Sequence, residues 1–139
     1  MPRGAQTSLR IDWATPRRLF DVLDAEFHFT LDACATAKTA VCSHFILEGS
    51  MESTWTGIVW CNPPYGRKIG EWVTKASRSN ATVVMLLPCR TDTSWWHLSV
   101  MPFAEEIRYL RGRLCFDDNR AKRAPFPSAI VVFRPRCSA

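Results

Sequence analysis

Gly57-Ile58-Val59-Trp60-Cys61-Asn62-Pro63-Pro64-Tyr65 decides the fold. Gly57–Cys61 is short, apolar and rich in β-favouring residues, so it predicts a buried strand. Asn-Pro-Pro ends it abruptly, because each proline fixes φ and removes an N–H. Downstream, Ile69, Trp72, Val73 and Ala76 share one face, which predicts a helix over 69–77. Ala81–Leu87 reads as a second buried strand, stopped by Pro88. Thr93–Met101 is expected to be helical, and Glu106–Leu110 and Arg113–Phe116 extended. Asp117–Pro127 reads as a polar, basic loop, and Ser128–Phe133 as the last strand. Upstream, Thr15-Pro16 offers an N-cap and a first helical residue. Leu19, Phe20, Val22 and Leu23 carry that helix to about Glu26. Phe27–Ala33 alternates, which predicts a strand. Residues 36–57 are weakly patterned, with a short strand at His44–Leu47 and a helical turn at Ser50–Trp55. Strands alternating with helices predict an α/β fold with a mostly parallel sheet. The last two extended segments predict an antiparallel C-terminal hairpin at its edge.

In open α/β sheets, ligands bind beyond the carboxyl ends of the strands. Asp32 and Asn62 both fall there. The prolines after Asn62 leave that turn rich in acceptors and poor in donors. Such a site suits a planar group bearing an NH2. Asn62 Oδ1 and the Pro63 carbonyl can each accept one amine hydrogen, Pro64 stiffens the turn, and Tyr65 can stack on the attached ring. The bland reading is a rigid strand-end turn.

The chain has 139 residues, one domain by length, and 47% are hydrophobic, which excludes disorder. Its longest strongly apolar run is too short to span a bilayer, so no membrane partner is expected. The first residues lack the apolar core of a secretory signal. Residues 1–107 hold ten Lys/Arg and eleven Asp/Glu, whereas residues 108–139 hold eight and two. The excess positive charge therefore sits at the C-terminal end, which suits a polyanion such as nucleic acid. Arg120, Lys122 and Arg123, near Phe126, are the best nucleic-acid patch. Arg90 could contact a phosphate or a base, or pair with Asp92. Of Trp95 and Trp96, one should face the core. None of the six cysteines forms a CxxC pair, which suggests reduced thiols in a cytoplasmic protein. Cys42 and His44 lack a second pair at metal-ligand spacing, so no metal is expected. His28, His44 and His97 show no catalytic partner.

Asn62-Pro63-Pro64-Tyr65 after a strand resembles the catalytic motif of amino-group methyltransferases. The wider chain resembles the phage DNA N-6-adenine methyltransferase (Dam) family. The similar segments are Trp13–Pro16, Leu31–Ala35, Trp55–Gly66, Leu87–Thr93, Gly112–Phe116 and Ala124–Ser128, in the family's order. The resemblance implies a single compact Rossmann-like S-adenosylmethionine-dependent methyltransferase domain over residues 1–139. It implies methyl transfer to adenine N6 in DNA by a phage or prophage enzyme working in a bacterial host. On that model Asn62 and Pro63 hold the amine, and Tyr65 stacks on a base taken out of the duplex. Asp32, Ala33 and Cys34 would lie at the methionine end of the cofactor, with Thr15 and Pro16 covering it and Asn62 adjoining. Glu48 and Glu52 are candidates for the cofactor ribose.

The same tetrapeptide occurs in enzymes that methylate an amino group of RNA or a protein glutamine, so RNA stays open as a substrate. Asp32–Ala37 holds no glycine where larger methyltransferases carry a Gly-rich loop. That departure motivates a contrasting reading, a nucleic-acid-binding relic without cofactor. A chain this short has no separate recognition domain, so a homodimer or a second protein could assist.

Overall fold

Two unbroken apolar runs, Thr82–Pro88 (β3) and Ser128–Phe133 (β5), form the centre of the sheet. Such runs bury both faces of a strand, and all residues of both except Thr82 are buried. The computed structural model describes residues 14–34, 45, 49–116 and 123–135. The remaining elements are α1 (Arg17–Phe27), β1 (Leu31–Asp32), β2 (Ile58–Cys61), α2 (Ile69–Arg78), a π-helical turn (Trp96–Val100), α3 (Met101–Phe103) and β4 (Glu106–Tyr109). The sheet order is β1-β2-β3-β5-β4. β1, β2 and β3 are parallel, β5 is antiparallel to β3, and β4 is antiparallel to β5. The sheet is thus mostly parallel in direction, and the architecture is mixed α/β, compatible with a methyltransferase-like fold. An antiparallel pair does close the C-terminal end, but it is β4 with β5 rather than Arg113–Phe116 with β5, and β5 lies inside the sheet with β4 at its edge. Among the described residues no helix is long and apolar enough to cross a membrane.

Paired residues on neighbouring strands share a face of the sheet. Asp32, Trp60, Val84 and Val132 are linked in register, as are Leu86, Ile130 and Arg108. This face carries α1. Trp60 meets Phe20 at 5.7 Å between ring centroids, and Arg108 bonds Glu26. α2 connects parallel strands β2 and β3, and buries Ile69, Val73 and Ala76 as its spacing predicts.

Several boundaries differ from the sequence reading. Helix α1 runs to Phe27, and His28 adopts a left-handed conformation (φ 58°) that turns the chain, its N–H bonding Asp24 O at 2.8 Å. The predicted strand over 27–33 therefore shrinks to Leu31–Asp32. Pro16 occupies the N-cap position with no side-chain cap, so Thr15 does not cap α1. Arg113–Phe116 contributes a single bridge, Cys115 to Arg123. Phe45 bridges Asp32 in parallel sense, within the predicted His44–Leu47 strand. Its neighbours at 44 and 46–48, with Cys42, lie outside the described residues. Gly57 has φ +76°, and a Cβ there would meet Thr30 Oγ1 at 2.5 Å. That hydroxyl accepts from Ile58 N at 3.0 Å, so glycine lets Thr30 bind the start of β2.

Candidate active site

Strand β2 delivers Asn62 to the carboxyl edge of the sheet on the α1 side. Its amide Nδ2 donates to Thr15 Oγ1 at 3.2 Å, across 47 residues of sequence. With the donor end directed at Thr15, the amide oxygen is aimed elsewhere, and that oxygen is buried. Pro63 is buried and Pro64 half-buried, and neither has an N–H to offer.

The neighbouring strand brings Asp32 to the same edge. Asp32 is 2% exposed and pairs in register with Trp60. Its Oδ1 accepts from Cys34 N at 3.2 Å, which closes a small turn after β1. Ala33 is fully buried and its N–H bonds Trp60 O at 2.9 Å. Burial pushes the Cys34 thiol up to about 12, with the Asp32 charge adding to the effect. Burial, then Cys34 and Asp32, raises the Cys61 thiol well above its ordinary value. Both thiols are neutral at physiological pH, so neither is an activated nucleophile. Pro16 is buried beside Thr15 in sequence, at the start of α1.

Tyr65 is 3% exposed, and its hydroxyl donates to Leu86 O at 3.0 Å. Burial is the first cause that drives its phenol far above the ordinary value. It therefore supplies no base near neutrality. Its ring stands edge-on to Phe126, 5.5 Å between centroids, and to Phe116 at 6.4 Å. Arg90, exposed, places its guanidinium 5.8 Å from the Phe126 ring centre. Cys89 N bonds Pro127 O at 2.9 Å and ties that segment to the end of β3. Three expected residues, Tyr65, Arg90 and Phe126, thus meet in one stack beside Asn62's strand. Among the described residues Arg90 and Asp92 form no ion pair.

Trp96 faces the core as expected, and Trp95 packs against Gly70 of α2, where a Cβ would meet it at 3.3 Å. Neither is an open platform. Arg123 is exposed on its bridge to Cys115. Arg120, Lys122 and Glu48 lie outside the described residues. Glu52 is exposed and lines a concavity of about 670 Å³ with Met51, Pro64, Tyr65, Arg67 and Trp72.

The sequence reading missed Thr15 as the partner that orients Asn62, because contacts across 47 residues leave no local signal. It also missed the paired thiols, which only the β1–β2 pairing brings together. No curated protein matches this chain. The family model for DNA N-6-adenine-methyltransferase (Dam) matches residues 4–136, and the chain belongs to that family.

Proposed function

We propose that this chain methylates the N6 amine of adenine in DNA, with S-adenosylmethionine as methyl donor. The observation that carries the reading is the Asn62–Thr15 hydrogen bond. It holds the donor end of the amide on the protein, and on this reading the oxygen would meet the substrate amine. Asn62 Oδ1 and the Pro63 carbonyl would each accept one hydrogen of the amine. Adenine N6 is a weak nucleophile, because its lone pair is delocalised into the ring. Two fixed acceptors favour a more tetrahedral nitrogen and meet the positive charge that develops there. Holding the amine in line would also supply much of the rate, with effective molarities of about 10⁵ M or more. The base would lie against Tyr65 and the half-exposed Phe126, with Arg90 and Arg123 on phosphates.

The residues at the β1 edge fit the cofactor. The buried Asp32 carboxylate suits an ammonium group, directly or through water, and Ala33, Cys34, Thr15 and Pro16 would surround it. S-adenosylmethionine supplies an electrophilic methyl when bound. Neutral Cys34 and Cys61 protect the site, because a thiolate there would compete with the amine. Origin in a phage or prophage, and work in a bacterial cytoplasm, belong to the same reading.

Incubation with labelled S-adenosylmethionine and DNA or RNA, followed by nucleoside mass spectrometry, tests it. N6-methyldeoxyadenosine from DNA is the expected product. Label in RNA alone, or in neither polymer, would overturn it.

A further inference from the structure

Ser128 opens β5 opposite Pro88, at the carboxyl end of β3. It is 1% exposed, and among the described residues its Oγ has no hydrogen-bond partner. Buried hydroxyls are nearly always bonded, because leaving one unmade forfeits its hydration without return. The backbone carbonyls on either side of it are bonded: Leu110 N bonds Ser128 O at 3.0 Å, and Cys89 N bonds Pro127 O. The strand geometry therefore needs no hydroxyl here, and alanine would fill the same place without the cost.

Its position gives the reason for keeping it. Register puts Ser128 on the face shared by Pro88, Ile130 and Arg108, the α1 side of the sheet. Asn62 reaches Thr15 on that same side, at the same carboxyl edge. Two residues before Ser128 stands Phe126, edge-on to Tyr65 and under Arg90. Asn62 and Pro63 offer acceptors alone, which identify an amine but not the ring that carries it. A hydroxyl is both donor and acceptor, so it can complement a ring nitrogen beside that amine.

We propose that Ser128 Oγ hydrogen-bonds a ring nitrogen of the target base, adding a contact beyond the amine. The inference rests on the proposed base site. Binding, rather than turnover, tests it, so that it can fail separately from the transfer reaction. The full chain and S128A are titrated with a duplex containing adenine and with one containing 7-deazaadenine throughout. Single strands containing adenine or 1-deazaadenine provide the second pair.

Wild type should bind one of the deaza strands about tenfold more weakly, and S128A should bind adenine and both analogues alike. S128A should also melt higher, by roughly 2–5 °C, since it removes an unpaired buried hydroxyl. If S128A does not fold, S128C keeps the shape with a weaker donor and should show reduced discrimination. Unchanged discrimination in the variant, no discrimination in wild type, or a lower melting temperature for folded S128A would each overturn the proposal. A wild type that discriminates in binding yet transfers no methyl would sink the transfer reading and leave this one standing.

Discussion

Two polar clusters on the α1 side of the sheet follow opposite rules. On edge strand β4, Arg108 spends its guanidinium on two carboxylates. Its Nη1 and Nη2 hold Glu26 at 2.7 and 2.5 Å, and its Nε holds Glu106 at 2.7 Å. The arginine also covers the Phe27 ring at 5.3 Å. Charge meets charge on an exposed edge, where little hydration is lost, and α1 is clamped onto β4. At the carboxyl edge of β1 and β2, Asn62 and Asp32 supply acceptors in a half-buried corner. A neutral bond to Thr15 orients the amide. The first cluster is made of charged groups that pair with one another, whereas the second is built on a neutral amide and a buried carboxylate. One face of one sheet therefore carries both kinds of polar cluster.

The sharpest way to break this contrast is Asn62→Ala. Transfer should fall by about 10²–10³-fold, the effect of losing one group that meets developing charge. Circular dichroism should be unchanged. Activity within tenfold of wild type would remove Asn62 from the chemistry. Thr15→Val asks whether the amide must be oriented. It leaves Nδ2 in a part-buried place without its acceptor, which costs about 1–3 kcal/mol. Transfer should drop by about tenfold with the affinity for DNA retained. Full activity would mean that Thr15 does not set the amide.

Arg90→Ala sharpens the comparison on the substrate side. An arginine on a phosphate should lower DNA affinity evenly across sequences and reduce the salt slope by about 1. Titrations at several salt concentrations measure both, and an unaltered slope would leave Arg90 to Phe126 alone. The thiols give a smaller, pH-dependent effect. An unfolded thiol ionises near its ordinary value of 9.0, whereas folded Cys34 holds its proton to about 12. The unfolded state thus binds fewer protons across that window, and stability falls as pH rises through it. Cys34→Ala should flatten the decline in melting temperature between pH 9 and 11. An equally steep decline in both proteins would contradict the burial of this thiol.

Much of the fold was legible because its strands are apolar without interruption. Ile58–Cys61, Thr82–Pro88 and Ser128–Phe133 announce burial on both faces, and Ile69–Arg78 has a clear apolar face. Asn62-Pro63-Pro64-Tyr65 was legible as the abrupt end of a buried strand, because two prolines in a row remove two backbone donors. The losses have physical causes. Phe27–Phe29 reads as an alternating strand, yet His28 turns left-handed and the aromatics pack on each other, Phe27 and Phe29 at 5.8 Å. The π-helical turn at Trp96–Val100 has no residue signature distinct from a helix. Thr15 looked like a cap because local chemistry favours one, and tertiary structure gave its hydroxyl to Asn62 instead. Ser128 looked like an ordinary strand start, since nothing local tells whether a hydroxyl will find a partner.

The Arg108 cluster was invisible for the same reason, its partner Glu26 lying 82 residues away. It also supplies the mildest test. Hydrogen bonds from Arg108 are the first cause holding the Glu26 and Glu106 carboxyls below their ordinary 4.5. A lowered carboxyl stabilises the fold above its unfolded value, and that contribution is lost as pH falls through the folded one. Arg108→Ala should therefore lower the melting temperature slightly at pH 7, and the difference should shrink as pH falls and the two carboxyls take up protons. Salt at about 1 M shortens the screening length to about 3 Å and should shrink the pH 7 difference. Methyl transfer should not change at all. A large loss of activity in this variant would mean that the clamp between α1 and β4 also sets the Thr15–Asn62 geometry at the other end of the helix, and the two clusters would then be one system.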